Sequence, residues 1–203
     1  MHKLTRTYLV FCLALFLNGC GSSNLDPLEA GDVILAFGDS LTAGVGVNKK
    51  NSYPTVLANL TGLEVINAGI SGETTAEGLL RLPQAIEEYS PSLMILLEGG
   101  NDILRNADAN QIKNNLEKMI QIAQQEGIQV VLIGVPEKSL FSNSAALYSE
   151  LAEEYDLVFD SSLIGGLMRS PSKKSDAVHF NKQGYSFMAQ EIHVLLSENG
   201  AID

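Results

Sequence analysis

Short apolar runs recur along the chain, and longer amphipathic stretches separate them. The runs lack the strict alternation of apolar and polar residues that marks a strand with one exposed face, which indicates strands covered on both faces. Five such strands are predicted, at residues 33–37, 63–68, 93–97, 129–135 and 157–159.

The stretches between and after these runs predict helices, at residues 52–60, 75–89, 108–125, 144–155 and 182–197. The third is the clearest, because apolar side chains from Ile112 to Ala123 recur at steps of three and four residues and form one stripe that can pack on a sheet. Gly127 lies where the C-terminal cap of this helix is expected. Pro83 interrupts the second stretch, where we expect a kink or the start of a new helix.

Strands and helices that alternate in this way predict an α/β protein. Each strand returns to the same sheet through a helix, and such crossovers are right-handed, so the sheet is expected to be parallel with helices on both faces. The predicted architecture is a three-layer α/β/α domain. A length of 203 residues suits one such domain, which we place at residues 31–203.

The first residues have the pattern of an export signal. A basic start with Lys3 and Arg6 leads into an apolar segment at residues 8–17 and then into Asn-Gly-Cys20. An apolar segment this short cannot cross the hydrocarbon core as a helix, which needs about 20 residues. We therefore predict a signal peptide at residues 1–19 and export to the periplasm or the cell exterior.

Leu17-Asn-Gly-Cys20 resembles a bacterial lipobox, in which the cysteine is acylated and becomes the first residue of the mature protein. Asn18 departs from the usual small or apolar residue, so a membrane-anchored lipoprotein and a free mature protein both stay open. Residues 20–30 would then form a polar tether before the domain. Cys12 lies inside the predicted signal, so Cys20 has no cysteine partner for an internal disulfide.

The chain is acidic, with a formal net charge of −11. Such a surface repels nucleic acid and anionic membranes. Membrane contact is therefore expected only through a lipid on Cys20, and we expect a monomer that acts on a small molecule.

Three glycine-rich turns follow the first three predicted strands. They are Gly38-Asp-Ser40, the segment from Gly69 to Thr75, and Gly99-Gly-Asn-Asp102. Because ligands bind at the carboxyl ends of parallel strands, all three turns should open on one edge of the sheet. Asp176-Ala-Val-His179 precedes the last helix, and its loop could reach the same edge.

These are the residue types that acyl transfer needs. A serine hydroxyl such as Ser40 becomes nucleophilic when an imidazole takes its proton, and Asp176 could orient the imidazole of His179. The oxyanion needs donors placed in advance, such as the Ser40 backbone N–H, a glycine N–H and the Asn101 amide. Each piece alone could instead be a turn or helix cap.

A metal site is disfavoured by the positions of the other histidines. His2 lies in the predicted signal and His193 within the last helix, so neither is placed to share a metal with His179.

Four sequence motifs, in the order in which the family has them, resemble the SGNH, or GDSL, hydrolase family. The resemblance covers nearly the whole mature chain. Ser40 stands in Gly-Asp-Ser-Leu, Gly72 in Asn67-Ala-Gly-Ile-Ser-Gly-Glu-Thr-Thr75, Asn101 in Gly-Gly-Asn-Asp, and His179 in Asp-x-x-His. Two further segments are similar to sequences in the small bacterial branch of this family, which contains secreted arylesterases, thioesterases and lysophospholipases. They are Gly-Leu-Leu-Arg-Leu-Pro83 and Leu-Glu-Gly-Gly-Asn-Asp-Ile-Leu-Arg105.

The resemblance implies a flavodoxin-like sheet of five parallel strands in the order 2-1-3-4-5. It implies a Ser40–His179–Asp176 triad, an oxyanion hole formed by Ser40, Gly72 and Asn101, and no cofactor or metal. The implied activity is hydrolysis of aryl esters, lysophospholipids or acyl thioesters. A carbohydrate O-acetylesterase and a non-catalytic binding lipoprotein are the alternatives.

Two positions depart from that branch. Gly69 stands where it often has Ser, and Phe180 stands where it often has Pro, which could alter the rim of the cleft. From their positions after strands, we expect the loops at residues 45–53 and 136–148 to line the acyl pocket.

Overall fold

A computed structural model describes residues 25–138 and 143–203. The strands are β1 (Val33–Gly38), β2 (Glu64–Gly69), β3 (Leu93–Leu97), β4 (Gln129–Ile133) and β5 (Val158–Asp160). The helices are α1 (Ser40–Ala43), α2 (Tyr53–Thr61), α3 (Thr75–Tyr89), α4 (Gly100–Leu104), α5 (Ala109–Gln125), α6 (Ala146–Glu154), α7 (Leu163–Met168) and α8 (Lys182–Glu198). Short 3₁₀ turns lie at Lys49–Asn51 and Pro171–Lys173.

The five strands form one parallel sheet in the order β2-β1-β3-β4-β5, so the predicted fold is confirmed. In the register, Leu35 of β1 lies between Ile66 of β2 and Met94 of β3. After β1, the chain adds β2 on one side of it. It then crosses back and adds β3, β4 and β5 in turn on the other side of β1. Right-handed crossovers therefore place α2 on one face and α3, α5 and α6 on the other.

The central strands carry the core. Every residue of β3 is buried, as are five of the six residues of β1, because helices cover both of their faces. β2 is the edge strand and is only half-buried. Helices α2 and α8 pack against each other on one face, while α3 packs against α5 on the other.

Pro83 does not start a new helix. It lies inside α3, which runs as one helix from Thr75 to Tyr89. Proline has no backbone N–H, so it cannot donate to the carbonyl of Leu79 one turn earlier. Burial of Leu82 and Ala85 against the core offsets this lost bond.

The predicted tether at residues 20–30 is too long. Leu25 is buried in the core, and its N–H donates to the carbonyl of Asn199 at 2.8 Å. The Leu28 N–H donates to the carbonyl of Ala201 at 2.8 Å. Residues 25–28 are therefore docked beside the end of α8, because burying Leu25 and packing the partly buried Leu28 against the core outweigh the freedom of a polar linker. The predicted signal at residues 1–19 and Cys20 lie outside the described residues.

Within the two described segments, no helix is both long enough and apolar enough to span a bilayer.

Candidate active site

Ser40 is the first residue of α1 and lies two residues after Gly38, the last residue of β1. Asp39 caps this four-residue helix, because its Oδ1 accepts the backbone N–H of Leu41 at 2.9 Å. Gly44 ends the helix with a positive φ of 84°. The strand, the cap and the short helix together hold the Ser40 hydroxyl at the edge of the sheet formed by the carboxyl ends of the strands.

His179 and Asp176 lie on the loop before α8. The loop is closed by a hydrogen bond from the Ser175 N–H to the His179 carbonyl at 3.0 Å. Asp176 Oδ1 accepts the backbone N–H groups of Val178 at 2.9 Å and His179 at 2.8 Å. Its Oδ2 lies 2.8 Å from His179 Nδ1. This one carboxylate therefore fixes both the loop and the imidazole.

The packed domain brings Ser40 and His179 together although 139 residues separate them. His179 Nε2 lies 3.0 Å from Ser40 Oγ, within reach of a proton transfer. The hydrogen bonds from Val178 and His179 lower the pKa of Asp176 to about 2. A carboxylate that stays ionised favours a proton on Nδ1, which leaves Nε2 free to accept from the serine.

Gly72 and Asn101 line the same cavity as Ser40 and His179. Gly72 has a positive φ of 83°, which glycine adopts without strain. Asn101 is the second residue of α4, and its Nδ2 donates to the carbonyl of Glu73 at 2.9 Å. The other contact of Nδ2 is a longer one, 3.3 Å to Asp39 Oδ2. The longer contact is the one that a substrate oxygen could replace at low cost.

Four buried carboxyl groups surround these residues, at Asp39, Glu73, Glu98 and Asp102. Burial raises the pKa of Asp39 to about 6, and the nearby Glu73 and Asp102 add to this rise, while the Leu41 N–H and His179 oppose it. Burial also raises the pKa of Glu98 to about 10. Such shifts are typical of functional sites, where charge is held away from water.

Sequence reasoning missed Glu98, Glu73 and Arg81. Glu98 follows the wholly apolar strand β3 and is fully buried, and its Oε2 has no hydrogen-bond partner within the described part of the chain. The available signal was a carboxylate at the end of an apolar run. Glu73 and Arg81 form an ion pair in which the Glu73 side chain is buried and Arg81 is partly exposed, and the available signal was an arginine next to the buried Leu82 of α3.

The cavity beside Ser40 has a volume of about 280 Å³ and largely apolar walls. The predicted loop at 136–148 contributes through Pro136, Glu137 and Lys138, whereas residues 45–53 do not line it. The remaining apolar wall comes from segments that were not predicted to contribute, and includes Leu41, Ile103, Leu104, Met168 and Val178.

Phe180 does not lie at the rim, contrary to expectation. Its ring is fully buried and meets the ring of Tyr185 edge-on, with centroids 5.6 Å apart. The ring packs inward because α8 covers it.

No group of three or more His, Cys, Asp or Glu side chains among residues 25–138 and 143–203 is arranged to hold a metal ion.

SGNH-type hydrolases have this arrangement, in which a serine, a histidine and an aspartate lie at the carboxyl edge of a flavodoxin-like sheet. The sequence matches the GDSL-like Lipase/Acylhydrolase family over residues 36–187, and the chain belongs to that family.

Named relatives are bacterial. Esterase TesA of Pseudomonas aeruginosa is 38% identical over 128 residues, which cover 60% of this chain and 64% of that protein. An arylesterase of Vibrio mimicus is 34% identical over 140 residues, which cover 66% of this chain and 64% of that protein. The matched region thus spans less than two thirds of the length of either relative.

Solved structures agree with the fold. A crystal structure of TesA superposes with a TM-score of 0.77 at 26% identity and covers 82% of this chain and 99% of its own. AlinE4, described as an SGNH-hydrolase family esterase, superposes with a TM-score of 0.66 at 30% identity, covering 84% of this chain and 97% of its own.

Proposed function

We propose that this protein is a serine esterase that hydrolyses small carboxylic esters or acyl thioesters. The observation that carries the proposal is the 3.0 Å contact between Ser40 Oγ and His179 Nε2, with Asp176 bonded to the other imidazole nitrogen. Neither contact depends on the names of the relatives. Those names, esterase and arylesterase, support the same reaction class.

The first step forms an acyl-enzyme. His179 Nε2 takes the proton of Ser40 as Oγ attacks the substrate carbonyl, and Asp176 stabilises the resulting imidazolium. The Ser40 and Gly72 backbone N–H groups and the Asn101 amide bind the oxyanion of the tetrahedral intermediate. When the intermediate collapses, the bond to the leaving group breaks, and His179 returns the proton to the leaving alcohol or thiol.

The second step releases the acid. Water attacks the acyl carbonyl, His179 takes a proton from this water, and the same donors bind the second oxyanion. Collapse breaks the bond to Ser40 Oγ, which regains its proton from His179. Each step uses only side chains, backbone groups and water.

The apolar cavity supports an acyl chain as the part of the substrate that is bound. Side chains such as Leu41, Ile103 and Val178 offer it contact without polar partners. We therefore propose acyl chains of aryl esters, lysophospholipids or thioesters as the substrate class. An O-acetylated sugar would leave most of this wall unused.

A panel of esters tests the proposal. We expect aryl esters, acyl thioesters and lysophospholipids of graded chain length to be hydrolysed by the unaltered protein, with a fall in kcat of about 10⁴ or more in Ser40→Ala. Ser162→Ala is the matched control, because Ser162 lies outside the cavity lining. A fluorophosphonate probe should label the unaltered protein and not Ser40→Ala.

Full activity in Ser40→Ala would contradict the proposed nucleophile. Activity on acetylated sugars alone would indicate an O-acetylesterase, and the absence of both turnover and labelling would indicate a binding protein.

We also propose that the protein is exported and works as a monomer. Leu25 docks near the amino ends of the strands, as shown by the bond between the Asp26 N–H and the side chain of Gln129 at the start of β4. An acylated Cys20 would join the chain to a membrane five residues before Leu25. Mass spectrometry of the mature N-terminus, with sedimentation of the purified protein, tests the anchor and the monomer.

A further inference from the structure

The Arg81 guanidinium on α3 bonds to three separate parts of the site's framework. Its Nε donates to Glu73 Oε1 at 2.6 Å, and Nη2 donates to the other oxygen of the same carboxylate. Nη2 also donates to the carbonyl of Ala68 at 2.8 Å and lies 3.3 Å from the carbonyl of Gly38. The group stacks over the Phe37 ring, 3.9 Å from its centroid.

These partners are the segments that carry the proposed catalytic groups. Gly38 ends β1, immediately before Asp39 and Ser40, and Ala68 lies near the end of β2. Glu73 belongs to the turn between β2 and α3, directly after Gly72. A single planar cation therefore joins the carboxyl ends of two strands to the turn that carries the glycine donor.

The same turn positions the Asn101 amide. The backbone carbonyl of Glu73 accepts one N–H of Asn101 at 2.9 Å, while its carboxylate is held by Arg81. A shift of Glu73 would therefore move both Gly72 and the partner that orients Asn101. Two of the three proposed oxyanion donors depend on this one residue.

The far side of the turn is held independently. Asp102 accepts the N–H of Thr75 at 2.9 Å and the hydroxyl of Thr75 at 2.8 Å, which fixes the start of α3 to α4. Arg105 donates to the carbonyl of Gly72 at 3.0 Å. These contacts keep the turn folded when the Arg81 contacts are weakened, so the effect of Arg81 on the donors can be measured apart from unfolding.

The Glu73 side chain is only 3% exposed, so Arg81 rather than water is the main partner of its carboxylate. Removing one member of a buried pair leaves an uncompensated charge, which the local structure relieves by moving towards water. For Glu73, such a movement would carry the turn away from Asn101.

We propose that Arg81 is a positioning residue for the oxyanion hole, acting through Glu73 on Gly72 and Asn101. The inference rests on the proposed esterase function. Arg81 touches no reacting atom in this mechanism. It sets where two hydrogen-bond donors point, which decides how well the tetrahedral intermediate is bound rather than how well the substrate is bound.

Arg81→Lys tests the proposal, since lysine keeps the charge beside Glu73 but lacks the planar fork that bonds both carboxylate oxygens while it reaches the two carbonyls. We expect kcat to fall by about 10² with KM within about threefold, because a donor displaced by about 1 Å costs about that much. Arg169→Lys is the matched control and should keep its kcat, because Arg169 is exposed and does not line the cavity.

A double-mutant cycle separates positioning from a general loss of structure. In an Asn101→Ala protein, whose amide donor is gone, Arg81→Lys should lower kcat by at most about tenfold, since only Gly72 is left to displace. The proposal would be overturned if Arg81→Lys lowered kcat by the same factor with and without Asn101→Ala. It would also be overturned if the kcat of the Arg81→Lys single variant stayed within twofold of that of the unaltered protein. If Arg81→Lys does not fold, Glu73→Gln takes its place in the same cycle with the same expected coupling.

An error in the esterase mechanism and an error in the positioning role would give different kinetic results. If Ser40→Ala keeps full activity, the esterase mechanism itself is wrong. If Ser40→Ala is inactive while Arg81→Lys and Glu73→Gln both keep their kcat, the mechanism stands and only the positioning role is wrong.

Discussion

Asp176 holds His179 at two points, with Oδ2 2.8 Å from the ring Nδ1 and Oδ1 accepting the backbone N–H of the same residue at 2.8 Å. The ring and the backbone of His179 are therefore fixed by one side chain three residues away. This leaves the imidazole few ways to turn, and its Nε2 faces Ser40.

Asp176→Asn should reduce kcat by about 10⁴ on an aryl ester. Asparagine can keep the backbone bonds through its oxygen, but its NH₂ would then face Nδ1 and favour the tautomer with a proton on Nε2, which cannot accept from Ser40. Asp156→Asn is the matched control, because Asp156 is exposed and its positive φ of 48° suits asparagine. A kcat within tenfold of the unaltered protein would show that this carboxylate does not set the tautomer.

Glu98→Gln should change how stability depends on pH. Burial raises the pKa of Glu98 to about 10, so between about pH 4.5 and pH 10 the folded protein binds a proton that the unfolded chain releases. The free energy of unfolding therefore falls as pH rises through this window, by at most about 1.4 kcal/mol per pH unit from this group. Glutamine cannot ionise and removes that slope.

Urea unfolding at pH 5, 7 and 9 measures this difference. The unfolding free energy of Glu98→Gln minus that of the unaltered protein should grow with pH. Glu87→Gln, on the exposed side of α3, should give no such trend. A constant difference across the three pH values would mean that Glu98 does not take up a proton on folding.

Gly69→Ala should destabilise the fold and impair the site. A Cβ at this position would lie 2.1 Å from the backbone N of Ala43, so α1, which begins at Ser40, would have to move off the end of β2. Overpacking of this kind costs about 1–3 kcal/mol. The unfolding free energy and kcat should therefore fall together.

Gly62→Ala provides the comparison, since a Cβ there meets nothing within 4 Å although its φ is +71°. We expect it to cost about 1 kcal/mol from the backbone alone and to leave kcat unchanged. If Gly69→Ala is as stable as Gly62→Ala, α1 does not press on β2 as described.

Met168→Trp should shorten the acyl chains that are accepted. Met168 lies at the end of α7 and forms part of the apolar cavity wall, so a larger ring takes up space there. Each methylene of the acyl chain that no longer fits in the cavity loses about 0.8 kcal/mol of binding free energy. If two methylenes no longer fit, kcat/KM for long-chain esters should fall by about tenfold relative to butyl esters. Leu60→Trp, an exposed position on α2, should leave the chain-length profile unaltered. An unchanged profile in Met168→Trp would place the acyl chain elsewhere.

Local pattern was enough to predict most of the architecture. The apolar run at residues 93–97 became a strand with its predicted bounds, because a central strand is buried on both faces and its sequence records that burial directly. The run at 129–135 was predicted two residues too long. Val135 is apolar because it lines the cavity, not because it continues β4.

The sequence by itself determined the sheet and the edge at which Ser40, Gly72 and Asn101 meet. Strand periodicity and the crossover rule act over short stretches, and the residues after parallel strands must share one edge. Only the tertiary structure decided the 3.0 Å contact between Ser40 and His179, the burial that raises the pKa of Glu98, and the hydrogen bonds of Arg81 to two strands and a turn. Those features depend on which distant segments pack together and exclude water, and neither a distance across 139 residues nor a local dielectric is encoded in any short stretch of the chain.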